Sequence, residues 1–341
     1  MKLSSRRHEI LVKTLELYIR TGAPVGSHAL VDMVGASSST IRSELNWLEA
    51  EGLLTHPHTS AGRAPTDAGY RYYVDHLLRE RGEDTGVPFR APEGYGGVDE
   101  LLAGVSEGMS EVTRLLAVVA GPGALGDPVA RVDSLMLREG THLIAVSTDS
   151  GYVSSTTISL PSSVESAELR EILSSLNYFL GGRHLESGSL ELTTARRYLS
   201  DYNPYAVGAV LEAVEVLGRA TEKGLFMRGA AALFARLDDL DPSSLTAVVE
   251  IFERRRSLLR LVGDALRRSV SNPSGVIVSI GPEPVSLTLP GTSLVAAAYG
   301  DPERPYGVVT LIGPKRMEYD AAIGTVRSAA ETLTEHLAQR F

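Results

Sequence analysis

The sequence predicts an α+β multidomain chain. An N-terminal helix-turn-helix unit with a small ribbon comes first, then one antiparallel sheet domain split by a mostly helical insert. Three observations predict it. Helix-period apolar stripes separated by Gly- and Pro-containing breaks fill residues 5–52, and two short β-type runs flank the loop that follows. Three strand-like runs over 130–160 are punctuated by Glu139-Gly140 and Asp149-Ser150-Gly151, as in a meander. A largely helical stretch then separates them from three further strand-like runs and a closing helix.

Leu11, Leu15, Tyr18 and Ile19 share one helical face, which predicts a helix over 5–20. Gly22, Pro24 and Gly26 break the chain. Ser27 is placed to cap a short helix over 28–34, and Gly35 to stop it. A third helix is predicted over 37–51, with Ile41, Leu45 and Leu48 as its apolar stripe. Ser39, Arg42, Ser43 and Asn46 lie opposite that stripe, and Glu44 and Glu49 fall on other faces. Two short helices joined by a tight Gly-containing turn outline a helix-turn-helix. The same outline fits a solvated polar face on a small bundle. Leu53–Thr55 and Ala64–Thr66 then read as short strands around the loop HPHTSAGR, and Thr66 or Asp67 caps a helix over 67–80. Three helices, strand, loop, strand is the order of a winged helix, and Pro65 suits an edge strand.

A helix entering a groove needs side chains that bond base edges: Arg to guanine, Asn to adenine, hydroxyls to either or to phosphate. Arg42, Ser43 and Asn46 are therefore the expected base readers. Ser38, Ser39, Thr40, Thr59, Ser60 and Arg63, with His58 beside them, are the expected phosphate contacts. The loop carries no acid, which suits a wing against phosphates, and Gly62 is read as a tight turn at positive φ.

Residues 81–97, rich in Gly, Pro and charge, read as a linker. The pattern over 98–119 predicts a helix, followed by strands at 130–137, 143–148 and 152–160. Helices are predicted over 165–180, from the Asn203-Pro204 cap pair to about residue 219, and over 243–269. Strands at 276–280, 294–299 and 308–312 and a helix over 319–337 complete the chain.

Composition excludes several chemistries. The 341 residues contain no Cys, which removes disulfides, zinc–thiolate sites, thiolate catalysis and iron–sulfur clusters and fits a reducing compartment. The N-terminal run is too charged for a signal-peptide core, and no run approaches a membrane span, so a cytoplasmic protein with no membrane partner is expected. Net charge is −9, yet the first 80 residues balance nine Lys and Arg against nine Asp and Glu. The N-terminal unit is electrostatically distinct without being strongly basic, so geometry rather than charge must carry a nucleic-acid reading. Gly121–Gly126 matches G-x-G-x-x-G, but a helical pattern precedes it and a strand-like run follows, the wrong setting for a dinucleotide site. His56 and His58 could share a strand face but have no third ligand at a motif spacing, so neither a metal nor a cofactor is expected. His142, His184 and His336 are isolated. Asp238, Asp239 and Asp241 precede Pro242 as end-of-helix acids, and Arg254–Arg256 with Arg267-Arg268 read as solvated or paired faces. No nucleophile or acid–base constellation stands out, so no enzyme is expected.

The run from Pro24 to Asp75, above all HTSAGRAPTDAGYRYYVD, resembles the N-terminal domain of the heat-inducible transcription repressors, the HrcA family. IGPKRMEYDAAI (312–323) and SLVAAAYG (293–300) are similar to the family's C-terminal segments. The resemblance spans nearly the whole chain. It implies a winged helix-turn-helix at 1–80, a linker at 81–97, a GAF-like domain built from 98–160 and 272–341, and an inserted dimerisation domain at 161–271. It further implies a homodimer on double-stranded inverted-repeat operator DNA upstream of chaperone genes, with chaperonin as modulator. Two features depart from the family: a proline after Glu283, where a polar residue is usual, and no Asn-Leu after the glycine of FMRGAAALF. The alternative is a repressor controlled by a small effector in the GAF-like domain.

Overall fold

The computed structural model describes residues 3–57, 62–80, 97–122, 128–149, 153–183, 190–220, 224–235, 255–272, 274–281, 283, 291–302 and 305–338. Helix α1 (Ser5–Thr21) begins where the Ser4 hydroxyl accepts from the Arg7 amide and ends at Gly22, φ 71°. A 3-10 turn (Ser27–Leu30) leads into α2 (Val31–Val34), which stops at Gly35, φ 66°. Ser27 does not cap it as expected; its hydroxyl instead lies 2.9 Å from that of Ser38. Helix α3 (Ser38–Ala50) is capped by Ser37 and buries Ile41, Leu45 and Leu48. Strand β1 (Leu54–Thr55) pairs antiparallel with β2 (Ala64–Pro65). Thr66 then caps α4 (Asp67–Glu80), its hydroxyl accepting from the Gly69 amide at 3.1 Å.

Helix α5 (Val98–Thr113) is shorter than its pattern predicts. Arg114 turns left-handed at φ 54°, and β3 (Leu116–Ala120) follows, buried at every residue. A short apolar run is compatible with either the tail of a helix or a fully buried strand, and periodicity does not separate the two. A strand therefore does precede Gly121. Residues 123–127 lie outside the described residues, and the chain resumes as a strand rather than a helix.

The expectation of one split sheet is corrected. Strands β4 (Val129–Arg138), β5 (Thr141–Thr148) and β6 (Val153–Ser159) form their own antiparallel sheet in the order β4-β5-β6. Helices α6 (Ser166–Leu180) and α8 (Pro204–Ala220), with the unforeseen α7 (Leu190–Tyr198), share its core through Val132, Ile144, Val146, Leu173, Val210 and Val214. Asn203 caps α8 as expected. The second sheet has the order β7-β3-β10-β9-β8, with β7 (Leu225–Arg228), β8 (Val276–Ile280), β9 (Thr292–Gly300) and β10 (Pro305–Pro314), all antiparallel. Patterning explains the separation. β5 alternates buried with half-exposed residues and presents one apolar face, whereas β3 and β8 are buried throughout and need cover on both faces.

That cover comes from helices. On one face Ala117, Val119, Val295, Val309 and Leu311 join a core with α5, α11 (Tyr319–Ala338) and the N-terminal helices. On the other, Leu116, Val118, Ala296, Val308 and Ile312 meet Leu258, Leu261 and Val262 of α10 (Arg255–Val270), with α9 (Ala230–Phe234) alongside. The expected helix over 243–269 is described only from Arg255. Residues 81–96, 184–189, 236–254, 282 and 284–290 lie outside the described residues, and with them most of the expected linker, His184, the 238–241 acids and Pro284. No helix among the described residues is long and apolar enough to cross a membrane.

Gly62 is needed for a different reason from the expected positive φ, which it does not adopt. A Cβ there would overlap the Val25 carbonyl and come within 2.7 Å of the Gly26 nitrogen. Gly62→Ala is expected to destabilise the N-terminal unit by about 1–3 kcal/mol through this overlap. Thermal unfolding followed by circular dichroism tests this, and an unshifted midpoint would refute it.

Candidate nucleic-acid interface

Helix α3 is fixed from behind. Ile41, Leu45 and Leu48 are buried in the core shared with α1. Arg7 of α1 donates to Glu44 at 2.7 Å, and its guanidinium lies 3.8 Å from the Trp47 ring centroid. Glu44 is thereby held away from the outward face, as expected. On that face Ser39, Arg42, Ser43 and Asn46 are all exposed at helical spacing. Among the described residues, Arg42 makes no hydrogen bond or ion pair. The Ser37 hydroxyl lies 2.9 Å from those of Ser39 and Thr40, so hydroxyls cluster at the start of α3. Ser38 is half-buried and engaged with Ser27.

The ribbon is anchored through Arg63. Its backbone exchanges two hydrogen bonds with Val25, both 2.8 Å, which ties the ribbon to the segment ahead of α2. Its side chain is only 14% exposed. Nη2 donates to Asn46 Oδ1 and, at 3.0 Å, to Glu49 Oε2. The other Glu49 oxygen lies 2.7 Å from His56 Nδ1. Asn46, Glu49, His56 and Arg63 thus form one network joining the end of α3 to both sides of the ribbon. The hydrogen bond with His56 holds the Glu49 carboxyl below its ordinary pKa. Burial pushes the other way, and the Arg63 charge lowers it further.

Of the expected contacts, Ser39, Arg42, Ser43 and Asn46 share the exposed face of α3, Thr40 lies half-buried at its start, and only Asn46 is joined to Arg63 of the ribbon. Ser38 is turned towards Ser27, and Arg63 is a strut with partners inside the chain rather than a free cation. His58, Thr59 and Ser60 lie outside the described residues. Glu49 and His56 were missed as members of the site. The available signal was the i, i+3 spacing of Asn46 and Glu49, which makes them neighbours on a helix. Among the described residues, no group of three or more His, Cys, Asp or Glu could hold a metal ion. The face offers a guanidinium, an amide and hydroxyls, a set suited to binding rather than bond-making.

The family model described as the HrcA protein C-terminal domain matches residues 99–323. A heat-inducible transcription repressor HrcA from Mycolicibacterium vanbaalenii is 31% identical over 343 residues, covering 98% of each chain. One of the same description from Streptomyces avermitilis is 32% identical over 344 residues, covering 99% of each. A crystal structure described as that of a hypothetical protein, at 2.2 Å, aligns over 100% of both chains with a TM-score of 0.61 and 24% identity, and shares the fold.

The lowered Glu49 pKa gives a pH dependence. A carboxyl with a depressed pKa stabilises the folded chain above its ordinary value of 4.5, and that contribution drains away as pH falls below it. In thermal melts across pH, the stability gap between wild type and Glu49→Gln is expected to be widest near neutrality and to close under acid. A gap independent of pH would refute the network.

Proposed function

The chain belongs to the HrcA family of heat-inducible transcription repressors and is a negative regulator of heat-shock gene transcription, and we propose that it acts as a homodimer on double-stranded inverted-repeat DNA, reading each half-site with α3. The observation that carries this reading is the outward face of α3: Ser39, Arg42, Ser43 and Asn46 exposed together, with Arg42 unpaired among the described residues. In a groove, Arg42 bonds guanine, Asn46 and Ser43 bond neighbouring base edges, and Ser39 with Thr40 meets phosphate at the helix start. The short ribbon beside α3 supports a winged helix-turn-helix, with residues 58–61 as the wing tip and Thr59, Ser60 and His58 as phosphate contacts. Arg63 acts first by holding Asn46 and Glu49 in place, and secondarily through its charge near the backbone of the DNA.

The separation of the two sheets supports a division that differs from the expected boundaries. The five-stranded sheet, with α5, α9, α10 and α11, is the GAF-like unit. The three-stranded sheet with α6–α8 is the insert, so it begins near residue 128 rather than 161. The insert exposes Leu135, Met136, Leu137, Val153, Tyr178, Tyr198 and Tyr205, and this apolar surface supports its assignment as the dimerisation unit. The chain works in the cytoplasm. Chaperonin favours its DNA-binding state, and heat diverts chaperonin to unfolded clients. A stability margin of only a few kcal/mol is enough for such control.

Titration of the full chain onto an inverted-repeat operator and a scrambled control, at two salt concentrations and with and without chaperonin, tests the reading. Preference for the operator, a steep loss of affinity with salt, and tighter binding with chaperonin are expected. Equal affinity for both DNAs throughout would overturn it. Arg42→Ala is expected to cut discrimination between operator and base-substituted operator by about 10- to 100-fold while leaving random-DNA affinity nearly unchanged. Unaltered discrimination in fluorescence-anisotropy titrations would remove Arg42 from the base-reading set.

A further inference from the structure

Residues 315–319, running from the end of β10 into the first residue of α11, contact the N-terminal helices at three points. Lys315 Nζ bonds Asp67 Oδ1 at 2.6 Å, at the first residue of α4. Gly281 leaves the room for this: at φ 55°, a Cβ there would sit 2.7 Å from the Lys315 side chain. Arg316 reaches the other end of the unit. Its Nη1 points to the Ile19 carbonyl at 3.4 Å, and its guanidinium lies over Gly22, at the negative dipole end of α1. Arg316 therefore caps α1 from outside. Behind both cations Tyr319 is buried, its ring centroid 5.9 Å from that of Tyr70, and its hydroxyl donates to the Lys315 carbonyl. That bond sets the turn from which both cations project.

A fourth contact has the opposite polarity. Arg71 of α4 donates Nε to Glu283 Oε1 at 2.7 Å and Nη2 to Glu283 Oε2 at 2.5 Å, a bidentate pair, and Nη2 also reaches the Val278 carbonyl at 2.8 Å. Glu283 is held in turn by the Ile280 amide, which donates to it at 3.1 Å. The N-terminal unit thus presents an acid and, one turn later, a base, and the sheet presents Lys315 and Glu283 in the matching order. Rotating or sliding one unit against the other would bring like charges together. An apolar core alone tolerates small slips, whereas two oppositely directed ion pairs define a register.

We infer that Lys315, Arg316 and Glu283, acting on Asp67, Ile19 and Arg71, are positioning residues that fix the orientation of α3 relative to the rest of the chain, and hence the half-site separation a dimer selects. The inference rests on the proposed dimeric reading of inverted-repeat DNA. Half-sites recur on one face of the duplex about every 10 base pairs, so a head free to pivot reads several spacings and a clamped head reads one.

The test uses the full chain. Duplexes selected from random sequence by the wild-type protein are rebuilt as a single half-site and as inverted repeats whose spacing changes in single base-pair steps. Glu283→Ala and Lys315→Ala are expected to bind the single half-site within about twofold of wild type while losing about tenfold in preference for the selected spacing. The charge swap R71E/E283R restores attraction at this pair but makes both pairs point the same way, so the spacing preference is expected to stay lost. An unchanged spacing preference in both alanine variants would overturn the inference. So would a parallel loss on the single half-site and the full repeat with a lowered thermal midpoint, which marks a purely structural role. Tighter binding by the variants would also overturn it, since the clamp would then hold α3 away from DNA. If the wild-type chain selects no inverted repeat, the operator reading fails, an outcome distinct from any of these.

Discussion

A sheet whose strands are apolar on both sides cannot fold alone, and this constraint organises the molecule. β3, β8 and most of β9 and β10 present buried side chains above and below the sheet. One layer is supplied by α10. The other is supplied by α5 and α11 together with helices from the first eighty residues, so Val74 and Leu77 of α4 lie in the same core as Val278 and Val309. The unit that presents α3 is therefore part of what covers the sheet, and its position is tied to the sheet's burial.

Much of this was legible in the sequence, and the misses have a common cause. α1 and α3 carry their packing stripes at helical spacing, and Ile41, Leu45 and Leu48 are buried as the pattern requires. The meander was readable from its turns. What failed was partner choice. LLAVVA satisfies both periods, so the pattern alone extends the preceding helix through β3. The meander forms its own sheet, which the sequence does not reveal because pairing between distant segments leaves no local mark. Only the contrast between an alternating β5 and a uniformly apolar β8 separates the two sheets.

The same limit applied to the interface. The outward residues of α3 follow from counting along a helix. The company they keep does not, because Arg63 and His56 reach Glu49 only once the ribbon has folded back. The resulting network puts a carboxylate beside the exposed polar face of α3, where its neighbours hold it. Arg63 and His56 both contact that carboxylate, so its charge is spent inside the protein. Neutralising an acid locally lets the chain keep a rigid ribbon in a region with no surplus of basic residues.

The insert leaves the sheet after β3 and returns at β7, and these two strands pair with each other, the Gly121 amide continuing the ladder to the Gly224 carbonyl. In topological terms the whole insert is the loop of one β-hairpin. Closing so large a loop from an unfolded chain is entropically costly and slow. Once the insert has collapsed around its own core, its two ends lie close together and the effective loop is short. A folded insert therefore shortens the loop that β3 and β7 must close, and the edge of β3 that β7 covers depends for its protection on that closure.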